Sequence, residues 1–400
     1  MPELLKLNKK ILIISSYAPP KTNGGAKYLF NILSNFTPDS YCFLTSHKNF
    51  YKNKSDVSYL LPCHYYFYDL PPTSKKYFDH FIIILSKPFR ILITIYKSLR
   101  LIKKERIELL VGVTGQGQTL LLTYILSRLG GIPYCSWMVD LWRENNLTSG
   151  WKRFANYFEP ILFRQATLIF LSNPGFEAHY QDLYPHIINK FQVISAYTTI
   201  VDHPSAIHNY KSYPPYHVVY IGSIYWAQED SIIDIIDAID EIRDIDVRLD
   251  LYSTDPTERI ISLANKSGRV SIKSASQDEI IEIQSQASIL FLPLSIDLED
   301  NFVIKTALPS KINEYLISGR PILIHAPANS YLSKYAKKHD FALVVNLKNK
   351  EELKIGIKRL LLDEDYANQF VRAAQKIAAT NSSSTKNFYI LAELINNLEI

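Results

Sequence analysis

The sequence lacks a cysteine framework, a hydrophobic leader, long apolar runs and a large net charge. Its three cysteines, Cys42, Cys63 and Cys135, are odd in number and show no ligand spacing. That excludes a disulfide frame or zinc site and suits free thiols in a reducing compartment. Met1 to Lys10 is basic but has no apolar segment before the first strand, so no secretory signal and a cytoplasmic location are expected. The composition, 47% hydrophobic and 21% charged, is that of a globular protein, and 400 residues exceed one ordinary core. Two domains are expected. Net charge is only +5, but residues 1–211 hold 24 Lys and Arg against 13 Asp and Glu, whereas residues 212–400 hold 20 against 26. The basic half is suited to an anionic surface. No nucleic-acid signature accompanies the charge, so nucleic acid is not an expected partner.

What is present is strand–helix alternation. Ile11–Ile14, Tyr41–Leu44, Leu109–Val113, Tyr134–Val139, Thr167–Leu171 and Gln192–Ile194 read as strands, separated by helices near 28–35, 80–104, 118–129 and 151–164. Continuous apolar runs fit strands covered on both faces of a parallel sheet. The chain turns polar and proline-rich from Asp202 to Pro215, and the pattern then restarts at His217–Ile221. A helix over Ser231–Ile242 buries Ile232, Ile233, Ile236 and Ile239 in this reading, and strands follow at Arg248–Tyr252, Val270–Ile272, Ile289–Pro293, Ile322–His325 and Ala342–Val345. Helices are expected at Glu279–Gln286, Pro309–Ser318, through 351–379, and last at 386–398. This predicts an α/β protein of two Rossmann-like domains facing across a cleft. The first covers 1–205, with the last helix packing back on it, and the second covers 212–380.

Two glycine sites mark loops after strands. Gly24–Gly25 follows the first strand and Gly222–Ser223 follows the first strand of the second half. Glycine there permits left-handed backbone or close approach of a ligand, and a merely structural turn is the rival reading. The stretch IKTALPSKINEYLISGRPILIH, 304–325, carries the most chemistry. A helix start exposes unpaired N–H groups and positive dipole, which attract phosphate. Pro309 has no N–H, but Ser310 and Lys311 do, and Lys311 adds a full charge. An amphipathic helix with a surface lysine and glutamate is the alternative.

With Glu314-Tyr315-Leu316 and the Gly319-Arg320-Pro321 turn, the chain resembles the retaining, sugar-nucleotide-dependent glycosyltransferases of family four, which have the GT-B fold. The resemblance implies that Glu314 holds the ribose hydroxyls of a nucleoside-diphosphate sugar, as a carboxylate accepting two hydrogen bonds can. It puts Thr306 where many members have a sugar-contacting glutamate. It makes Gly222–Ser223 the phosphate-facing turn, with Ser223 and Gln228 standing where members have arginine and lysine. Lys311, helped by Lys305, is then left to stabilise the diphosphate leaving group. Gly24 and Gly25 would let backbone approach the donor from the first domain.

The segment SWMVDLWRE, 136–144, ends a buried strand in polar and aromatic residues. Asp140-Leu141-Trp142 resembles the Asp-Pro-Trp of some of these transferases, with Val139 where an arginine usually stands. Asp140 orients an acceptor hydroxyl or takes its proton in one reading, and caps a helix in the other. Trp142 and Arg143 fall on the acceptor side, Trp142 as a sugar platform or as packing. Two patterns mimic other sites. GVTGQGQ, 112–118, has GxxGxG spacing and no acidic partner, which disfavours a nicotinamide site. Asp244-Ile245-Asp246 has metal-binding spacing but lies among other acids, and reads as a solvated face; no metal or other cofactor is expected.

The last signal is 77–106. Phe81, Ile84, Leu85, Leu92, Ile95, Leu99 and Ile102 recur at helical spacing among Lys87, Arg90, Lys97, Arg100, Lys103, Lys104 and Arg106. The longest apolar run there, FIIIL, is far short of the ~20 residues a span needs. A basic amphipathic helix of this kind lies on an anionic leaflet or covers a core with a solvated face. The combined expectation is a glycosyltransferase moving a sugar from a nucleotide sugar to a saccharide or lipid-linked saccharide acceptor in bacterial surface-glycan assembly, peripheral at the inner membrane face. A sugar-nucleotide 2-epimerase of the same fold and a catalytically decayed nucleotide-sugar-binding subunit are the alternatives.

Overall fold

The computed structural model describes residues 4–19, 24–46, 60–68, 80–115, 117–145, 149–195, 210–276, 278–381 and 384–399, with the backbone alone for 80–88, 149, 380–381 and 384–386. Contacts group the chain into two compact units, Met1–Ala196 with Thr385–Ile400, and Tyr197–Ser384. Most of the polar stretch expected between them, 202–209, lies outside the described residues.

In the first unit the strands are β1 (Ile11–Ile14), β2 (Tyr41–Ser46), β3 (His64–Tyr68), β4 (Leu109–Val113), β5 (Tyr134–Met138), β6 (Ile169–Leu171) and β7 (Phe191–Val193). They form one parallel sheet in the order β3-β2-β1-β4-β5-β6-β7. Ile11–Ile14 pair with Tyr41–Leu44 on one side and with Leu109–Gly112 on the other, so the strand order reverses between β1 and β4. All of ILII is buried, as a strand covered on both faces requires. Helices α1 (Gly24–Leu33), α2 (His80–Glu105), α3 (Gln118–Gly130), α4 (Ser149–Gln165) and α5 (Gly175–Leu183) accompany the sheet. Tyr28 of α1 donates its hydroxyl to the Ile194 carbonyl at 2.5 Å and accepts from Trp137 Nε1 at 2.9 Å. Because Trp137 is fully buried in β5, this pair fixes α1 to the sheet with its polar atoms satisfied. The C-terminal helix (Ser384–Asn396) packs in the same core: Phe388, Leu391, Ala392 and Ile395 lie with Ile11, Ile13 and Phe36.

In the second unit β8 (Tyr216–Ile221), β9 (Val247–Tyr252), β10 (Val270–Lys273), β11 (Ile289–Pro293), β12 (Ile322–His325) and β13 (Leu343–Val345) form a parallel sheet in the order β10-β9-β8-β11-β12-β13. Here the order reverses between β8 and β11. The helices are α6 (Glu229–Glu241), α7 (Glu258–Lys266), α8 (Ile280–Gln286), α9 (Phe302–Thr306), α10 (Ile312–Ile317), α11 (Tyr331–His339), α12 (Lys350–Leu362) and α13 (Glu364–Asn381). Ile232, Ile236 and Ile239 are buried as their spacing predicts, but Ile235 takes the core position expected of Ile233, which is only partly covered. The helix expected over Pro309–Ser318 is shorter. Turn bonds from Ile312 to the Pro309 carbonyl and from Asn313 to the Ser310 carbonyl precede it, and the regular helix begins at Ile312. Gly319 follows its end at φ 72°, a left-handed position that suits glycine.

On α2 the expected buried stripe is rotated. Leu101 and Ile102 are buried with Thr94 and Ser98, and Ile95 and Leu99 are partly covered. Leu92, expected on that stripe, is 63% exposed, beside Phe89 at 67% and Tyr96 at 59%. Arg90, Lys97, Arg100, Lys103, Lys104 and Arg106 are exposed. The side chains of Phe81, Ile84, Leu85 and Lys87 lie outside the described residues. No helix among the described residues is long and apolar enough to cross a membrane.

Candidate functional site

In an open parallel sheet the carboxyl ends of two strands diverge where the order reverses, leaving a crevice in which ligands bind. Each unit has one such point, and the sequence-predicted site residues divide between them.

In the second unit the crevice lies beyond β8. Gly222 has φ 139°, a conformation that side chains rarely adopt. A Cβ built on it would stand 2.2 Å from Lys311 Nζ and 2.6 Å from Lys311 Cε, so the missing side chain is what admits the lysine. Tyr220 lies in β8 and Gly222 just beyond its end. Lys311 Nζ lies 4.2 Å from the Tyr220 ring centroid and donates to its hydroxyl at 2.9 Å, while that hydroxyl donates to the Ser223 carbonyl at 2.6 Å. Lys311 has no ion pair among the described residues. Burial therefore pushes its ammonium down to about 7, against the opposing pull of Glu314. The Ser310 and Lys311 N–H groups meet no acceptor among the described residues. Glu314 is half-buried on α10 and accepts from Gln284 Nε2 at 3.1 Å. Ile312, Tyr315 and Leu316 seat the helix by burial in the core beneath, and Tyr315 Oη accepts the Ile221 N–H at 3.4 Å.

The neighbouring positions offer less. Ser223 is exposed, and Gln228 is buried just before α6 with Oε1 unpaired. Thr306 is buried, and its hydroxyl donates to the Phe302 carbonyl one turn back at 2.8 Å, which turns it into its own helix. Lys305 pairs with Asp300 at 3.2 Å and lies over the Phe302 ring, so its charge is already engaged.

In the first unit Asp140 stands beyond the carboxyl end of β5 and Tyr17 beyond that of β1. Tyr17 donates its hydroxyl to Asp140 Oδ2. Burial raises the Asp140 carboxyl above its ordinary pKa, and the Tyr17 hydrogen bond only partly opposes this. Thr114, at the end of the intervening β4, accepts from the Val139 and Asp140 N–H groups at 2.7 and 3.3 Å through Oγ1 and so holds the loop. The carboxylate is thus directed at Tyr17, not at a helix terminus.

Gly24 and Gly25 are the first residues of α1 and are absent from the positive-φ glycines. Of the alternatives weighed for this pair, left-handed backbone is thus not adopted. Gly25 is needed for close approach, because a Cβ there would lie 3.0–3.2 Å from the Tyr17 ring; at Gly24 a Cβ would meet nothing within 4 Å. Of the two readings of Trp142, a sugar platform or packing, its burial fits packing. Trp142 is fully buried beneath Gly117, whose Cβ would stand 2.0 Å from the indole, so it offers no face to a sugar. Arg143 turns largely inward, donating to Tyr184 Oη at 3.1 Å and to Asn156 Oδ1 at 2.9 Å, with Glu159 Oε1 4.0 Å from its Nε.

The two mimicking motifs resolve physically. In 112–118 a Cβ on Gly115 would strike Ser16 Oγ at 2.3 Å, and one on Gly117 would strike Trp142, so these glycines serve internal packing, not a pyrophosphate. Asp244 pairs with Lys358 at 2.7 Å and Asp246 with Arg248 at 3.4 Å, both before the amino end of β9, opposite the ligand edge. Among the described residues no group of three or more His, Cys, Asp or Glu side chains could hold a metal ion.

Tyr17, Tyr220 and Gln284 escaped the sequence reading. Each touches a predicted residue from a distant part of the chain, and no local signal marks them.

No family model matches the chain, and no characterised protein matches it by sequence. Solved structures do match its fold. A glycosyltransferase from Rickettsia africae is 13% identical with a TM-score of 0.69, over 97% of this chain and 98% of that one. HepE from Anabaena, in complex with UDP and glucose, is 14% identical with a TM-score of 0.70, over 98% and 100%. Sucrose-phosphate synthase from Thermosynechococcus elongatus is 12% identical with a TM-score of 0.69, over 97% and 98%. At such identities the likeness establishes architecture alone. Built on two Rossmann-like parallel sheets, this chain has the GT-B fold.

Proposed function

We propose that the chain is a glycosyltransferase that moves a sugar from a nucleoside diphosphate to an acceptor hydroxyl. The observation that carries the reading is the seating of Lys311 in the space left by Gly222, at the carboxyl end of β8, with Glu314 less than one turn further along. A half-buried cation beside unpaired N–H groups suits a diphosphate, and a carboxylate accepting two hydrogen bonds suits ribose. As the glycosidic bond to the donor breaks, negative charge grows on the diphosphate, and Lys311 is the cation placed to stabilise it. That HepE is solved with UDP-glucose supports uridine nucleotides as the first donors to test. Asp140, raised in pKa and bonded to Tyr17, is the residue of the first unit suited to orient the acceptor hydroxyl and take its proton. Retention of configuration, membership of family four and a place in bacterial surface-glycan assembly at the inner membrane face complete the reading, on the resemblance of 304–325.

Calorimetry with a panel of nucleoside diphosphates tests donor binding. Product analysis with and without a saccharide acceptor then separates transfer from 2-epimerisation, which needs none. A nucleotide-sugar-binding subunit without catalysis is the second reading, favoured by Thr306, whose hydroxyl is engaged where a sugar-contacting glutamate is expected. Binding without turnover of any donor in either assay would establish it.

A further inference from the structure

A groove of about 610 Å³ opens between α2 and the ends of β2 and β3, within the size range of small-molecule sites. Its buried lining is Leu44, Tyr68 and Leu101, with Thr94 and Ser98 beside them on α2. Arg90 and Lys97 line it from α2 and are exposed, seven residues apart, so they stand two turns apart on one helix face. Neither has an ion pair or hydrogen bond among the described residues. Beyond these cations Phe89, Leu92 and Tyr96 extend an exposed apolar strip along the same helix. A mainly apolar floor beneath a mouth with two unpaired cations matches one kind of ligand. The floor gains by covering hydrocarbon, and the guanidinium and ammonium gain from a multiply charged oxyanion.

We propose that this groove binds a single-chain anionic amphiphile, its phosphate between Arg90 and Lys97 and its alkyl chain on the Leu44–Leu101 floor. The site belongs wholly to the first unit and requires neither nucleotide nor sugar transfer. It also differs from adsorption of α2 to a bilayer, because it holds one soluble molecule at a defined stoichiometry.

Calorimetric titration of the full chain with decyl phosphate, below its micellar concentration, tests this. One saturable site is expected, with inorganic phosphate and a neutral decyl ethylene-glycol ether each at least tenfold weaker. Arg90→Gln with Lys97→Gln should weaken decyl phosphate at least tenfold and leave the neutral ether unchanged. Ser98→Trp, which directs a ring into the groove, should abolish binding; if that variant unfolds, Ile93→Trp at the mouth serves instead. Absence of saturable binding overturns the proposal, as does inorganic phosphate binding as tightly as the amphiphile, or undiminished binding in the filled variants. Nucleoside-diphosphate binding measured on the same preparation keeps the two readings apart. Its retention when decyl phosphate fails sinks the groove alone, and its loss when decyl phosphate binds sinks the donor site alone.

Discussion

Lys311 Nζ lies 2.2 Å from the position a Cβ would take on Gly222, so the ammonium keeps its present seat because residue 222 has no side chain. Gly222→Ala must either displace the ammonium from Tyr220 or strain a backbone already at φ 139°. A cost of about 1–3 kcal/mol is expected from the backbone alone. Thermal unfolding should report that loss, and nucleotide affinity should fall with it. A variant of wild-type stability and affinity would show that Lys311 relocates freely.

Lys311 gives the proposed donor site a predicted pH dependence. Its pKa, lowered to about 7 by burial, means that the free protein loses the charge above neutrality. A bound diphosphate favours the charged form, so binding above pH 7 takes up a proton, and affinity should fall by up to about tenfold per pH unit. Calorimetry in two buffers of different ionisation enthalpy measures that uptake directly. Lys311→Arg should flatten the profile, and Lys311→Ala should lower turnover more than donor affinity, since leaving-group charge is greatest in the transition state. For stability the sign is different: the unfolded lysine holds its proton up to about 10.5, so this group makes the fold more stable as pH rises from 7 to 10.

Glu314→Ala should weaken nucleoside-diphosphate binding by roughly 1.5–3 kcal/mol, the worth of a charge-assisted hydrogen bond. The substitution also frees Gln284 Nε2, now 3.1 Å from the carboxylate, so Glu314→Gln is the better-matched control. Unchanged affinity in a folded Ala variant would move the donor away from α10.

Much of this architecture was legible because parallel strands buried on both faces are written as unbroken apolar runs: ILII, LLVGV and ILFLP all fall in strands. Strand β3 was not, because HYYFY at the sheet edge is only partly covered and lacks a repeating apolar pattern. Helix α11 was missed because YLSKYAKKH has few apolar residues, and its start depends on a Ser330 cap to the Ser333 N–H. The proposed donor site shows the same division. Lys311 and Glu314 share a local helix-start pattern, whereas Tyr220 reaches Lys311 across 91 residues and Tyr17 reaches Asp140 across 123. The sequence left Trp142 open between packing and a sugar platform for the same reason: only the fold brings Gly117 over it.

The buried carboxyl of Glu159 predicts a second pH effect, in the opposite direction. It is fully buried with Oε2 unpaired, and burial, reinforced by Glu144, pushes its pKa up to about 8 despite hydrogen bonding from Tyr184 and the nearby Arg143. The folded state therefore keeps a proton that the unfolded chain releases near pH 4.5, and stability should fall by about 1.4 kcal/mol per pH unit between those values. Glu159→Gln should remove most of that slope and leave the protein more stable than wild type at pH 8. Urea unfolding across pH 5–8 decides it, and a slope unchanged in the variant would place the ionisation elsewhere.

The exposed face of α2 predicts adsorption to an anionic bilayer. Phe89, Leu92 and Tyr96 are all more than half exposed, and the exposed Arg90, Lys97, Arg100 and Lys104 run along one flank of them. Apolar residues of this size gain from the acyl boundary, and each cation near an anionic leaflet adds about 1 kcal/mol, screened within a Debye length. By this reckoning a few cations acting together would hold the protein at the surface without need of a spanning helix. The wild type should sediment with vesicles rich in anionic lipid, less with neutral ones, and should be released by high salt. Changing Arg90, Lys97, Arg100 and Lys104 to glutamine should abolish sedimentation while nucleotide binding is kept. Replacing Phe89, Leu92 and Tyr96 by serine should weaken the adsorption that survives high salt, because only the apolar contribution is insensitive to screening. Wild-type protein that ignores anionic vesicles at low salt would assign this face to solvent and make a soluble acceptor the better expectation.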